Sequence, residues 1–116
     1  MALSTPSAGG PYTITFDDGK LTEIRDILMG ELWLCSGQSN MEMPMKGFKN
    51  QPVENSNTDV MNSRNPQLRL FTVKRTSSFT PKTDVVGTWQ EAVPATVREF
   101  SATAYYFGRM IQQQLN

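Results

Sequence analysis

The chain has 116 residues, enough for one domain with a real core, and its 11 Lys and Arg balance its 11 Asp and Glu. That balance gives no electrostatic footprint for nucleic acid or an anionic membrane, and no apolar run approaches the ~18–20 residues of a membrane span. Histidine is absent and cysteine occurs once. These counts exclude a histidine-containing metal site, an internal disulfide and, within these residues, the usual base for a serine nucleophile.

Residues 1–9 are small and polar, with neither a basic n-region nor a long apolar core, so they read as a poorly ordered tail and not as a signal peptide. Tyr12, Thr13, Ile14, Thr15 and Phe16 alternate apolar and hydroxyl side chains, the period of a half-buried strand. Asp17-Asp18-Gly19-Lys20 is a hairpin signal, which makes residues 21–29 the returning strand.

Four apolar residues follow, Leu32, Trp33, Leu34 and Cys35, and then Ser36-Gly37-Gln38-Ser39-Asn40-Met41. The pattern predicts a buried strand over residues 32–35, the first central strand of an α/β sheet, ending where Ser39 is delivered to a turn. A nucleophile needs a rigid strand below it, an open mouth above it and free backbone N–H groups beside it. Gly37 lets the chain turn tightly, and Asn40 is placed to donate a hydrogen bond or fix the turn. The same residues also make an ordinary strand-to-loop exit, and spacing alone does not separate the two readings. Cys35 reads as a small buried hydrophobe. Met41, Met43 and Met45 recur at every second position, either lining an adaptable pocket or, more commonly, packing. Pro44 argues against a long helix after the serine. Glu42 and Lys46 are near Ser39 in sequence, but nothing marks either as a substitute base.

Residues 46–66, rich in Asn, Pro and Ser, read as a long loop carrying at most a short helix near residues 58–62. Residues 67–73 read as a second sheet strand, residues 74–83 as a loop, and residues 84–90 as a short extended segment. Its Trp89 could stack on a sugar ring beside a pocket, but a tryptophan more commonly lies buried in a core, and that is the expectation here. Thr96-Val97-Arg98-Glu99 fits a capping box that starts a C-terminal helix near Val97. Phe100, Ala104, Phe107, Ile111 and Leu115 supply its apolar face, Gly108 allows close packing on a sheet, and no stop signal precedes Asn116.

The stretch from Asp26 to Pro44, DILMGELWLCSGQSNMEMP, resembles the first block of the sialate O-acetylesterases, carbohydrate esterases of the wider SGNH (GDSL-like) hydrolase superfamily. Phe100 to Arg109, FSATAYYFGR, resembles the first helix after that block, and residues 69–73 and Trp89 lie between them in the expected order. The resemblance covers most of the chain, from about Gly9 onward. It implies an α/β fold: part of a three-layer α/β/α, flavodoxin-like SGNH sheet, preceded by a β-hairpin. Residues 1–29 would end a β-rich region, and residues 30–116 would form the N-terminal part of the esterase domain.

The resemblance further implies that Ser39 is the nucleophile and that Gln38, Asn40 and Met41 contact the substrate, an O-acetylated sialic acid or related acetylated sugar. No metal and no cofactor are expected, and the family's proteins are secreted or periplasmic. A complete member draws its oxyanion donors from the serine N–H and from a glycine and an asparagine in later blocks. It draws its base from a D-x-x-H segment near the C-terminus. Of these, the chain contains Ser39 and its N–H. Two readings follow: an excerpt of an esterase, inactive alone and completed by the remainder of its parent chain, or a non-catalytic carbohydrate-binding or interaction module of the same fold. Continuation of the reading frame into a D-x-x-H segment separates them.

Overall fold

In the computed structural model, which describes residues 4–115, the chain divides into two units, Met1–Leu34 and Cys35–Asn116. The first is built on a hairpin. β1 (Gly9–Asp17) and β2 (Leu21–Met29) pair antiparallel, from Gly9 opposite Met29 to Asp17 opposite Leu21. The alternation in sequence becomes alternation in burial: Tyr12, Ile14 and Phe16 are half-buried while Thr13 and Thr15 face solvent. At the turn Gly19 takes a φ of 97°, open to a residue without Cβ, and its N–H donates to Asp17 Oδ1 at 3.1 Å. Of the expected tail, residues 1–3 lie outside the described residues, as does Asn116 at the other end. Residues 4–8 carry no helix or strand, and the Ser7 carbonyl accepts the Tyr12 hydroxyl at 3.0 Å.

The second unit holds another two-stranded antiparallel sheet. β3 (Asn65–Phe71) pairs with β4 (Trp89–Ala92), with Phe71 opposite Trp89 and Leu70 opposite Gln90. Four helices accompany it: α1 (Ser39–Glu42), α2 (Ser56–Met61), α3 (Pro94–Glu99) and α4 (Ala102–Leu115). Met45, Leu70, Ala92, Val97, Ala102 and Tyr105 form the buried core, with Val53, Val60, Leu68, Phe100 and Tyr106 packed against it. A Cβ on Gly108 would stand 3.6 Å from Leu68 Cδ1, an ordinary van der Waals contact, so α4 packs on β3 here without requiring the glycine that the sequence singled out. The short helix in the long polar loop and the strand after it are both present, each begun two residues earlier than expected. No helix among the described residues is long and apolar enough to cross a membrane.

Three expectations need correcting. Residues 32–35 form no strand, and Leu32 and Leu34 are 76% and 90% exposed. A strand exists through its ladder, and this apolar run finds none among the described residues. The parallel pairing expected between residues 32–35 and 68–73 is therefore absent, and β3 instead takes β4 antiparallel. The described residues form a mixed α/β arrangement with two small sheets.

The C-terminal helix is also two helices. Phe100 adopts extended angles (φ −81°, ψ 158°) and interrupts the run between α3 and α4. Pro94 opens α3, where its missing N–H does no harm, and Thr96 lies inside the helix, its Oγ1 accepting the Val93 N–H at 3.1 Å. The buried side of α4 runs through Ala102, Ala104 and Tyr105, whereas Phe107 and Leu115 are exposed.

Trp89 is the third correction. It is 56% exposed, outside the core, with its ring tilted 56° against Phe71 at a centroid distance of 5.1 Å. Residues 84–88 before it carry no strand.

Candidate functional site

Ser39 opens α1, a single helical turn. Gln38 precedes it as the cap residue (φ −106°, ψ −137°), and the Gln38 carbonyl accepts the N–H groups of Met41 (2.9 Å) and Glu42 (3.1 Å). The Met43 N–H donates to the Ser39 carbonyl at 3.1 Å, and Pro44 then ends the turn. The Ser39 side chain is exposed, and among the described residues its hydroxyl has no hydrogen-bond partner. Gln38 and Asn40 are exposed beside it, while Met41 is half-buried and turned toward α4. A Cβ on Gly37 would stand 3.2 Å from Met41 Cβ, so a side chain there would press on the turn.

The turn is held from below by the break between α3 and α4. Residues 43–46 run antiparallel to residues 98–102. The Ala102 N–H donates to the Met43 carbonyl (2.8 Å), the Met45 N–H to the Phe100 carbonyl (2.9 Å) and the Lys46 N–H to the Arg98 carbonyl (3.0 Å). Met45 is fully buried at the centre of this junction, which gives at least one of the alternating methionines a packing role. Two hydroxyls, one from the residue that precedes α4 and one from its first turn, reach the serine turn directly. Thr103 Oγ1 donates to the Asn40 carbonyl at 3.2 Å, and Ser101 Oγ stands 3.4 Å from Met41 Sδ.

The charged residues nearest Ser39 in sequence are engaged elsewhere: Glu42 pairs with Arg75, and Lys46 with Glu99. Neither is arranged as a base for Ser39. Two hollows in the surface, one lined by Thr15, Phe16, Asp17, Asp18 and Thr22, the other including Lys46, Ser56 and Arg98, do not contain Ser39. No group of three metal-ligating side chains occurs among the described residues.

A second polar cluster was not anticipated from the sequence. The Tyr106 hydroxyl donates to Asp59 Oδ2, and Arg109 binds Oδ1 of the same carboxylate. The Arg109 guanidinium also lies over the rings of Tyr106 (5.0 Å) and Tyr105 (5.4 Å). The Tyr106 hydrogen bond, then that of Arg109, holds the Asp59 carboxyl below its ordinary range, while burial and then Asp59 push the Tyr106 phenol up to about 12. This cluster ties α2 to α4 and so fixes the long loop. Its members come from a polar loop and a helix with no shared spacing, so no sequence pattern announces it.

Chemically, the site offers an exposed, unengaged primary hydroxyl on a turn whose backbone is fixed to a buried junction. No family model matches the chain. It is 30% identical to the sialate O-acetylesterase of Rattus norvegicus over 99% of this chain and 23% of that protein. It is 28% identical to the sialate O-acetylesterase of Homo sapiens, over 99% of this chain and 24% of that protein. The structure of a carbohydrate acetylesterase from Xanthomonas citri superposes with a TM-score of 0.81 at 33% identity, covering 97% of this chain and 25% of that one.

Proposed function

The chain belongs to the sialate O-acetylesterase family, of whose curated members it spans about a quarter, and on that premise we propose that Ser39 is the nucleophile of a serine ester hydrolase acting on O-acetylated sugars. The observation that carries the proposal is the exposed, unengaged Ser39 hydroxyl at the head of a turn fixed to the α3–α4 junction. That turn falls within the block matching the family's nucleophile motif, Gly37 to Met41.

In this reaction Ser39 Oγ adds to the acetyl carbonyl carbon while its proton passes to a base. The tetrahedral intermediate expels the sugar oxygen, which takes up that proton, and the acetyl group remains on Ser39. Water then attacks the acyl-enzyme, assisted by the same base, and acetate leaves. The Ser39 N–H supplies one oxyanion donor. With no histidine in the chain, the base comes from residues outside these 116. Gln38 and Asn40, exposed on either side of Ser39, contact the sugar, and Met41 shapes the turn beneath it. The sugar is a sialic acid by family resemblance, and the enzyme works outside the cytoplasm. Residues 1–29 end a preceding β-rich region, and residues 30–116 begin the esterase domain.

Ser39→Ala in the natural gene product tests the assignment. We expect acetyl release from an O-acetylated sialic acid to fall by roughly three orders of magnitude or more, with loss of labelling by a serine-directed phosphonate. Undiminished activity would remove Ser39 from the mechanism. Binding of the acetylated sugar without hydrolysis by the unaltered gene product would favour the non-catalytic module instead.

A further inference from the structure

The serine turn is held at its C-terminal side by two hydroxyls with unequal duties. Ser101 Oγ accepts the Ala104 N–H at 3.3 Å, the arrangement that caps the start of α4, and it also lies 3.4 Å from Met41 Sδ. Thr103 is free of the capping duty. Its side chain is exposed, and its hydroxyl donates to the carbonyl of Asn40, the residue directly after Ser39. A carbonyl one peptide from the nucleophile sets the plane of that peptide, and through it the direction of the Ser39 side chain. An exposed threonine contributes little to the core, so its bond to the serine turn is its main structural engagement.

We propose that Thr103 is a positioning residue for Ser39, with Ser101 as its partner through Met41. The inference rests on the reading of Ser39 as nucleophile. The two hydroxyls fix the first turn of α1 against α4, so that the Ser39 hydroxyl is presented in one direction without rearrangement when the ester arrives. Neither side chain touches the substrate. Their effect on the reaction passes through the Asn40 carbonyl and the Met41 thioether.

The test uses the natural gene product carrying Thr103→Val, which keeps the shape and removes the donor, beside Thr103→Ser, which keeps the donor. Rates are expressed per site titrated with a serine-directed phosphonate, so misfolded protein does not enter them. We expect Thr103→Val to lower kcat by about tenfold with KM and Tm unchanged, because a displaced nucleophile loses rate without losing substrate affinity. Thr103→Ser should retain the wild-type kcat. Wild-type kcat in Thr103→Val, or an equal fall in both variants, would overturn the positioning role. Ser39→Ala, measured alongside, separates the two levels. If it is inactive while Thr103→Val is fully active, the nucleophile stands and the positioning role falls; if it is active, both fall.

Discussion

Tyr106 and Asp59 are 47 residues apart in the chain and joined by a 2.7 Å hydrogen bond, with Arg109 closing on the other carboxylate oxygen at 2.9 Å. This contact fastens α2 to the middle of α4. Both Asp59 and Arg109 are largely shielded, with side-chain exposures of 26% and 31%. Tyr106→Phe removes the phenol donor and leaves the ring, so we expect a loss of about 1.5 kcal/mol of unfolding free energy in a denaturant titration. An unchanged midpoint would show that the long loop is fixed by something else.

The same cluster makes stability depend on pH at both extremes. Asp59 titrates below its ordinary value of 3.8 when folded, chiefly through Tyr106 and then Arg109. The unfolded chain therefore binds more protons in acid, and the contribution is complete above pH 3.8 and lost as pH falls through the lower folded value. Tyr106 is raised from 10.0 to about 12, so its contribution is complete below pH 10.0 and lost as pH rises toward 12. The stability difference between the wild type and Tyr106→Phe should be widest between these limits and narrow beyond each.

Gly47→Ala should damage the segment following the serine turn. Gly47 has a φ of 74°, and a Cβ there would stand 2.5 Å from the Gln51 carbonyl oxygen and 3.0 Å from Pro52 Cα. Both neighbours are backbone and cannot swing aside. The backbone strain alone is worth roughly 1–3 kcal/mol, and the clash adds to it. A thermal melt of Gly47→Ala matching the wild type would contradict this.

Met45→Ala and Trp89→Ala should differ sharply. Met45 is fully buried where residues 43–46 meet the α3–α4 break, and its truncation leaves a cavity costing about 2–5 kcal/mol. Trp89 is more than half exposed and loses mainly its contact with Phe71, worth about 0.5–1.5 kcal/mol. Parallel chemical denaturation of the two variants checks the order.

Local signals in the sequence were legible where local physics decides the structure. The hairpin followed from period-two alternation and an Asp-Gly turn, and the long polar loop was expected to hold at most one short helix, which is α2. The block around Ser39 was legible through its length and order of residues. What failed were inferences about partners. The apolar run at residues 32–35 looks like a buried strand, yet a strand requires a neighbour, and hydropathy does not say which one. Trp89 was misjudged for the same reason, since an aromatic residue is equally at home in a core or against one exposed ring. The break at Phe100 was hidden because Phe100 and Ser101 are ordinary helix residues; it exists because residues 43–46 take up hydrogen bonds that a continuous helix would have used. Thr103 was likewise silent, its role lying in a carbonyl 63 positions away.

That distance has a consequence for the order of events during synthesis. Ser39 leaves the ribosome about 60 residues ahead of Ser101 and Thr103, whose hydroxyls meet Met41 and Asn40 across 60 and 63 positions. The carbonyls at 98 and 100 that receive Lys46 and Met45 emerge just as late. Contacts of such long range are closed only after the intervening chain exists. The nascent protein thus carries its serine before the residues that hold the turn exist, and the contacts to the Asn40 carbonyl and the Met41 thioether form only when α4 docks.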